Sequence, residues 1–128
     1  MEKYKYTVEF EINASPKMIY PYLATASGLE AWFADNVAIN KQVFDITWDD
    51  EIHPAKIIAK RTNNHIRYQF LNGEEEDNLP YLDFKIEYNE MTQTTFLKIT
   101  DYSEMDSKDD LNDMWHQLIG QLKEIMGA

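Results

Sequence analysis

Residues 109–127 read DDLNDMWHQLIGQLKEIMG, and their apolar members recur at helical spacing. On a helical wheel these members occupy roughly one third of the circumference, which is typical of a helix that buries one face. Asp106, Asp109 and Asp110 complement the positive end of the helix dipole, and Gly127 stands where a helix terminator is expected. The spacing predicts a long amphipathic helix whose apolar face contains Leu111, Met114, Trp115, Leu118, Ile119, Leu122, Ile125 and Met126.

Upstream of this helix the apolar residues mostly alternate with polar ones. Residues 4–12 keep a period of two, which predicts a strand with one face in solvent. Turn signals at residues 49–50 and 62–64 separate further short segments, and we expect about seven strands in all. The connections are too short for crossovers, so neighbouring strands should be antiparallel. Pro54 predicts an edge or a bulge where its strand begins, and residues 74–78 predict a polar loop.

Two short helices are predicted after the first strand. Ser15 is a suitable N-cap, and Pro16 suits the first helical position, so a helix should cover about residues 16–23. Ser27 and Glu30 have the spacing of a capping box, which predicts a second helix directly afterwards. Its apolar side chains are Leu29, Trp32 and Phe33.

The dimensions of these elements predict how they pack. Seven strands spaced about 4.8 Å apart form a sheet near 29 Å wide, whereas a helix is about 10 to 12 Å across. Because one helix cannot cover that sheet, the sheet should curl around it in an α+β fold. The chain has 6 Phe, 3 Trp and 8 Tyr residues, and any interior space they leave unfilled becomes a cavity.

Several motifs in this order resemble a known family. They are residues 15–17 (SPK), 28–35 (GLEAWFAD), 48–49 (WD), 99–102 (ITDY) and the closing helix. Together they resemble the START-like branch of the birch-allergen-like superfamily, which includes domains similar to the activator of the large heat-shock chaperone's ATPase. The resemblance implies one domain over residues 1–128 with a helix-grip fold: a curved antiparallel sheet that holds the C-terminal helix above a cavity. The family contains lipid carriers, cyclases, hormone receptors and co-chaperone domains, so the fold does not decide the activity.

Composition narrows the possible partners and the compartment. The length of 128 residues fits one domain. The chain has 12 Lys and Arg residues and 23 Asp and Glu residues, which give a net charge of -11. Such a charge repels nucleic acid and anionic membranes, and we expect neither as a partner. The chain has no Cys, which excludes disulfides and thiolate chemistry. Without an export signal or a spanning segment, we predict a cytoplasmic protein, either monomer or homodimer.

Candidate polar chemistry is sparse. His53 and His65 should lie roughly 27 Å apart along a strand ladder, so we expect no metal site and no cofactor. Asp35 should end the second helix and begin the next strand. Asp101 continues an apolar strand face, where it acts either as a general acid or base at the cavity mouth or as a hydrogen-bond acceptor in a turn. We favour the turn interpretation, and no Ser is followed by a convincing base.

Three hypotheses follow. The first is a non-enzymatic binding domain that holds a small apolar or amphipathic ligand between the sheet and the last helix. The second is a protein-interaction module of the chaperone-activator type, whose acidic surface meets a basic partner. The third is a cyclase-like or dehydratase-like enzyme that uses Asp101 and an inward Tyr. The predicted ligand-binding residues are Tyr6, Trp32, Phe33, Trp48, Tyr68, Phe70, Phe84, Tyr88, Asp101, Trp115 and Ile119.

Overall fold

The computed structural model describes residues 3–71, 79–104 and 108–128. The predicted loop at residues 74–78 and the predicted helix-start residue Asp106 lie outside these ranges. The elements are β1 (Tyr4–Ile12), α1 (Pro16–Ala24), α2 (Ala26–Trp32), β2 (Asn36–Asn40), β3 (Val43–Trp48), β4 (Glu51–Arg61), β5 (His65–Phe70), β6 (Tyr81–Asn89), β7 (Thr94–Ser103) and α3 (Lys108–Met126).

The seven strands form one antiparallel sheet in the order β1-β7-β6-β5-β4-β3-β2. Strand β7 returns beside β1, while β2 to β5 follow one another through short turns and β6 pairs with both β5 and β7. The sheet therefore has two edges, β1 and β2. This arrangement confirms the predicted helix-grip α+β fold.

Helix α3 packs its apolar face on the inner side of the sheet. Leu111, Trp115, Ile119 and Leu122 are buried, and Gly127 follows the helix with a φ of +70°. The predicted long helix and its terminator are thus confirmed. The predicted face member Ile125 is instead 46% exposed, whereas Met126 beside it is partly buried against the core.

The helix starts agree with the sequence in one case and differ in the other. The Ser15 side chain accepts a hydrogen bond from Met18 N at 3.3 Å, and Pro16 is the first residue of α1. The predicted capping role of Ser27 is wrong, since the N-cap of α2 is Thr25, whose Oγ1 accepts from Gly28 N at 2.9 Å. Helix α2 begins only two residues after α1 ends, so Ser27 already lies inside it.

Pro54 lies in β4, which is an inner strand of the sheet. Leu71 N donates to Pro54 O at 2.8 Å, just past Phe70, where β5 has ended. The N–H and C=O of a strand residue point to the same side, so the missing amide of Pro54 faces the end of β5. The bulge of β4 lies further along, between Ile57 and Ala59, so the prediction of an edge or a bulge at Pro54 is wrong.

Candidate functional site

Five aromatic side chains occupy the space between the sheet and the helices. Phe33 lies at their centre: its ring is stacked on Trp115 with centroids 5.8 Å apart and an interplanar angle of 18°. It also meets Trp48 edge to face at 4.9 Å and Phe84 at 6.2 Å. Trp32 contacts both Phe33 and Phe84. We call these five side chains, Trp32, Phe33, Trp48, Phe84 and Trp115, the ring cluster.

The three indole N–H groups of the ring cluster all have partners within the chain. Trp32 donates to Tyr22 O at 2.8 Å, and Trp48 donates to Phe33 O at 2.6 Å. Trp115 donates to the Asp101 carboxylate at 3.0 Å. Because an indole has a single donor, these bonds leave no Trp donor for a bound molecule.

Asp101 lies inside strand β7, so the predicted turn role does not describe it. Its side chain is buried, and its Oδ2 accepts the hydrogen bond from Trp115. Burial raises the pKa of this carboxyl group above its ordinary value of 3.8, and the hydrogen bond from Trp115 opposes that shift. Asp101 therefore acts as a buried acceptor that ties the sheet to α3.

The three tyrosines among the predicted ligand-binding residues have different environments. Tyr68 is buried, and its hydroxyl donates to Leu23 O at 2.6 Å, while burial raises its pKa. Tyr6 is also buried and donates to Asn112 Oδ1 on α3 at 2.6 Å. Tyr88 is 49% exposed, because β5 pairs with β6 only as far as Lys85 and Tyr88 is therefore the end of its row.

The remaining predicted residues, Ile119, Phe70 and Asp35, differ in burial and contacts. Ile119 is buried on α3, and Phe70 is half-buried with its ring 6.4 Å from that of Trp48. Asp35 follows α2 as predicted. Its carboxylate accepts a hydrogen bond at 2.9 Å from the backbone N–H of Asp49, which lies in the turn between β3 and β4.

Two open hollows lie outside the ring cluster. One, of about 500 Å³, lies at the end of the sheet, where Ile12, Thr95 and Tyr88 form one row across β1, β7 and β6 and Lys123 borders them from α3. The other, of about 390 Å³, lies between the start of β1 and Leu111 at the start of α3. No residue of the ring cluster lines either hollow.

Comparison with known proteins agrees with this geometry. A family model described as a START-like superfamily domain matches residues 1–128. The chain belongs to the START-like superfamily. No curated protein matches it.

Solved structures share the START-like fold over nearly the whole chain. The Aha1 dimer from Colwellia psychrerythraea is 20% identical with a TM-score of 0.76, and the alignment covers 96% of each chain. The protein BfR322 from Bacteroides fragilis is 34% identical with a TM-score of 0.66, covering 98% of this chain and 92% of that one. MLL2253 from Mesorhizobium loti is 15% identical with a TM-score of 0.76, covering 97% of both.

Sequence reasoning missed a polar cluster on the outer face of this START-like sheet. Asp83 is buried there, and its Oδ1 accepts from Arg67 Nε at 3.1 Å and forms a hydrogen bond with His65 Nε2. The Arg67 guanidinium also lies 4.4 Å from the centre of the Tyr81 ring. Residues 65, 67, 81 and 83 share this face by strand alternation, which was the available sequence signal. These contacts satisfy the buried carboxylate and stabilise the pairing of β5 with β6.

Among residues 3–71, 79–104 and 108–128, no group of three His, Asp or Glu side chains is placed to hold a metal ion. Within the same residues, no helix is both long enough and apolar enough to cross a membrane.

We expect Asp101→Asn to stabilise the START-like domain at neutral pH. The pKa of Asp101 is raised in the folded state, so its contribution to stability is complete below the ordinary pKa of 3.8 and is lost as the pH rises through the folded pKa. An amide has no charge to desolvate and still accepts from Trp115. Urea unfolding at pH 7 and below pH 3.8 should show a gain that shrinks in acid. A variant less stable than the wild type at pH 7 would contradict this role, and Asp113→Asn, an exposed carboxylate, serves as the control.

Proposed function

We propose that this START-like domain is a non-enzymatic binding module that acts through contacts between its surface and another protein. The ring cluster carries this proposal, because it occupies the region in which the family resemblance implies a ligand cavity. A ligand there would have to displace Phe33 from its contacts with four other rings. The interior-ligand hypothesis therefore requires a reorganised core, whereas a surface contact does not.

The position of Asp101 supports a role without catalysis. Its carboxylate is buried against Trp115, and it lines neither of the two hollows. A general acid or base must reach the substrate directly or through one water. The cyclase-like hypothesis therefore lacks a route from Asp101 to a substrate in either hollow.

Charge indicates the class of partner. The exposed side of α3 carries Asp109, Asp110 and Asp113, and the sequence has no Lys or Arg between positions 109 and 122. Because the chain has a net charge of -11, it attracts a basic partner surface and associates with it faster than with a neutral one. Residues 28–35 and the closing helix resemble those of chaperone-activator domains, and on this resemblance we propose a heat-shock chaperone as the basic partner.

The proposal predicts a salt-sensitive effect on a chaperone. We expect the domain to increase the ATPase rate of the large heat-shock chaperone from the same organism, with weaker stimulation as salt rises from 50 to 500 mM, since screening shortens the Debye length from roughly 14 to 4 Å. The double variant Asp109→Asn/Asp113→Asn should weaken the apparent affinity several-fold. Glu9→Gln/Glu11→Gln removes the same charge from the sheet and should change it less. No stimulation and no association at 50 mM salt would overturn the proposal.

A further inference from the structure

Strand β2 is a free edge of the sheet. It covers Asn36–Asn40 and pairs with β3 over its whole length, and in the part of the chain that the structure describes no strand lies on its other side. Four of its five residues are exposed, including the large side chain of Ile39 at 55%. The outward backbone N–H and C=O groups of such an edge are able to pair with another strand.

This edge lacks three of the features by which proteins prevent edge pairing. Protected edges carry charged side chains, Pro or a bulge. In β2 all five residues are uncharged, none is Pro, and the register with β3 is continuous. The opposite edge, β1, carries Lys5, Glu9 and Glu11. The β2 edge thus has no charged residue, whereas 27% of the residues in the whole chain are charged.

The sequence of β2 is also nearly symmetric. It reads Asn-Val-Ala-Ile-Asn, with Ala38 at its centre. If two copies pair antiparallel about a two-fold axis through Ala38, then Asn36 faces Asn40 and Val37 faces Ile39 of the other copy. Directly opposite residues share a face of the sheet, so the pairing joins apolar to apolar side chains and amide to amide.

The register with β3 shows on which face each pair would lie. Val37 is opposite Ile46 and Ile39 is opposite Phe44, and both partners are buried on the concave face. The apolar pairs would therefore extend the core side of the sheet, where Ile39 is exposed in the single chain. The Asn pairs would lie on the outer face, where amides hydrogen-bond to each other.

We infer that this protein forms a two-fold symmetric homodimer in which the β2 strands of two copies pair antiparallel and join the two sheets. This self-pairing does not depend on the proposed chaperone contact. Five residues span about 17 Å of strand, so the interface is smaller than a standard one and the dimer should be weak. Each copy carries a net charge of -11, so salt should strengthen the dimer, the opposite of its effect on the proposed chaperone association.

Sedimentation velocity over a range of protein concentrations tests the inference. We expect a monomer–dimer equilibrium that moves toward dimer when NaCl is raised from 50 to 500 mM. Ile39→Lys puts a charge from each copy beside the axis and should raise the dimer Kd by at least about tenfold. Ile52→Lys changes an Ile that is 63% exposed on β4, away from the edge, and should leave the Kd unchanged. A monomer at millimolar concentration in 500 mM NaCl, or equal effects of the two variants, would overturn the inference.

A cross-link tests the register directly. Ala38→Cys places two thiols opposite each other at the proposed axis, with Cβ atoms about 4.5 to 5.5 Å apart, close to disulfide range. The chain has no other Cys, so any covalent dimer reports this contact alone. We expect rapid disulfide formation on mild oxidation. Glu9→Cys on the β1 edge is the control, and equal cross-linking of both variants would contradict pairing through β2.

Discussion

Gly28→Ala is expected to destabilise the domain by about 3 kcal/mol, a large effect for the addition of one methyl group. An added Cβ at this position would lie 2.0 Å from Pro21 O and 2.7 Å from Tyr22 Cα. Both atoms belong to the backbone of α1, so no side chain is available to move aside. Helix α2 would have to shift away from α1, and the shift would displace Trp32 and Phe33 in the ring cluster.

Gly120→Ala is the matched control. Gly120 lies in the middle of α3, and an added Cβ there would meet nothing within 4 Å. Because Gly costs a helix interior about 1 kcal/mol relative to Ala, this variant should be more stable than the wild type by roughly that amount. Urea unfolding of the two variants should therefore give shifts of opposite sign. Similar midpoints for both variants would show that the close approach of α2 to α1 does not constrain the fold.

Phe33→Ala is expected to cost about 3 to 5 kcal/mol, the range observed for removing a buried aromatic ring. Phe33 contacts the four other members of the ring cluster. Its loss leaves a void, because these four rings come from different elements and cannot all move into the space. The measurement is the free energy of unfolding in urea, with the folded variant checked by the dispersion of its indole N–H resonances.

Tyr88→Ala removes an aromatic ring that the ring cluster does not contact. Since Tyr88 is about half exposed at the end of the sheet, its loss should change stability by less than about 1 kcal/mol. If Phe33→Ala costs no more than Tyr88→Ala, then Phe33 does not hold the interior together. In that case the interior has room to rearrange, and the ligand-carrier hypothesis gains support.

Much of the fold was predictable because each signal was local. Alternation over residues 4–12 and helical spacing in residues 109–127 depend only on which side of an element faces the core. The cap of α2 was not predictable in this way, because Thr25 and Ser27 both have suitable side chains. The α1 to α2 connection selects Thr25, and the contact of Gly28 with α1 is a tertiary feature.

The candidate site was predictable in its residues but not in how they fill space. Periodicity indicates that Phe33, Phe84 and Trp115 point inward, but it does not give the distances between rings from different elements. Whether the rings fill the interior depends on those distances. The packing of α2, α3 and the sheet brings the ring centroids to within about 6 Å of one another. The alternation of β6 also points Tyr88 inward. Tyr88 is nevertheless exposed, because it is the last residue of its row across the sheet, and alternation within one strand does not show where a row ends.

Because the ring cluster fills the interior, a small apolar molecule has no place there. The most direct measurement is a titration of the wild-type protein with a fluorescent fatty-acid analogue, followed through the indole N–H resonances of Trp32, Trp48 and Trp115. We expect these three resonances to stay in place in the wild type, whereas a benzene-sized probe should shift them in Phe33→Ala, because an apolar cavity is available only in the variant. Saturable, micromolar shifts of all three resonances in the wild type would contradict the account.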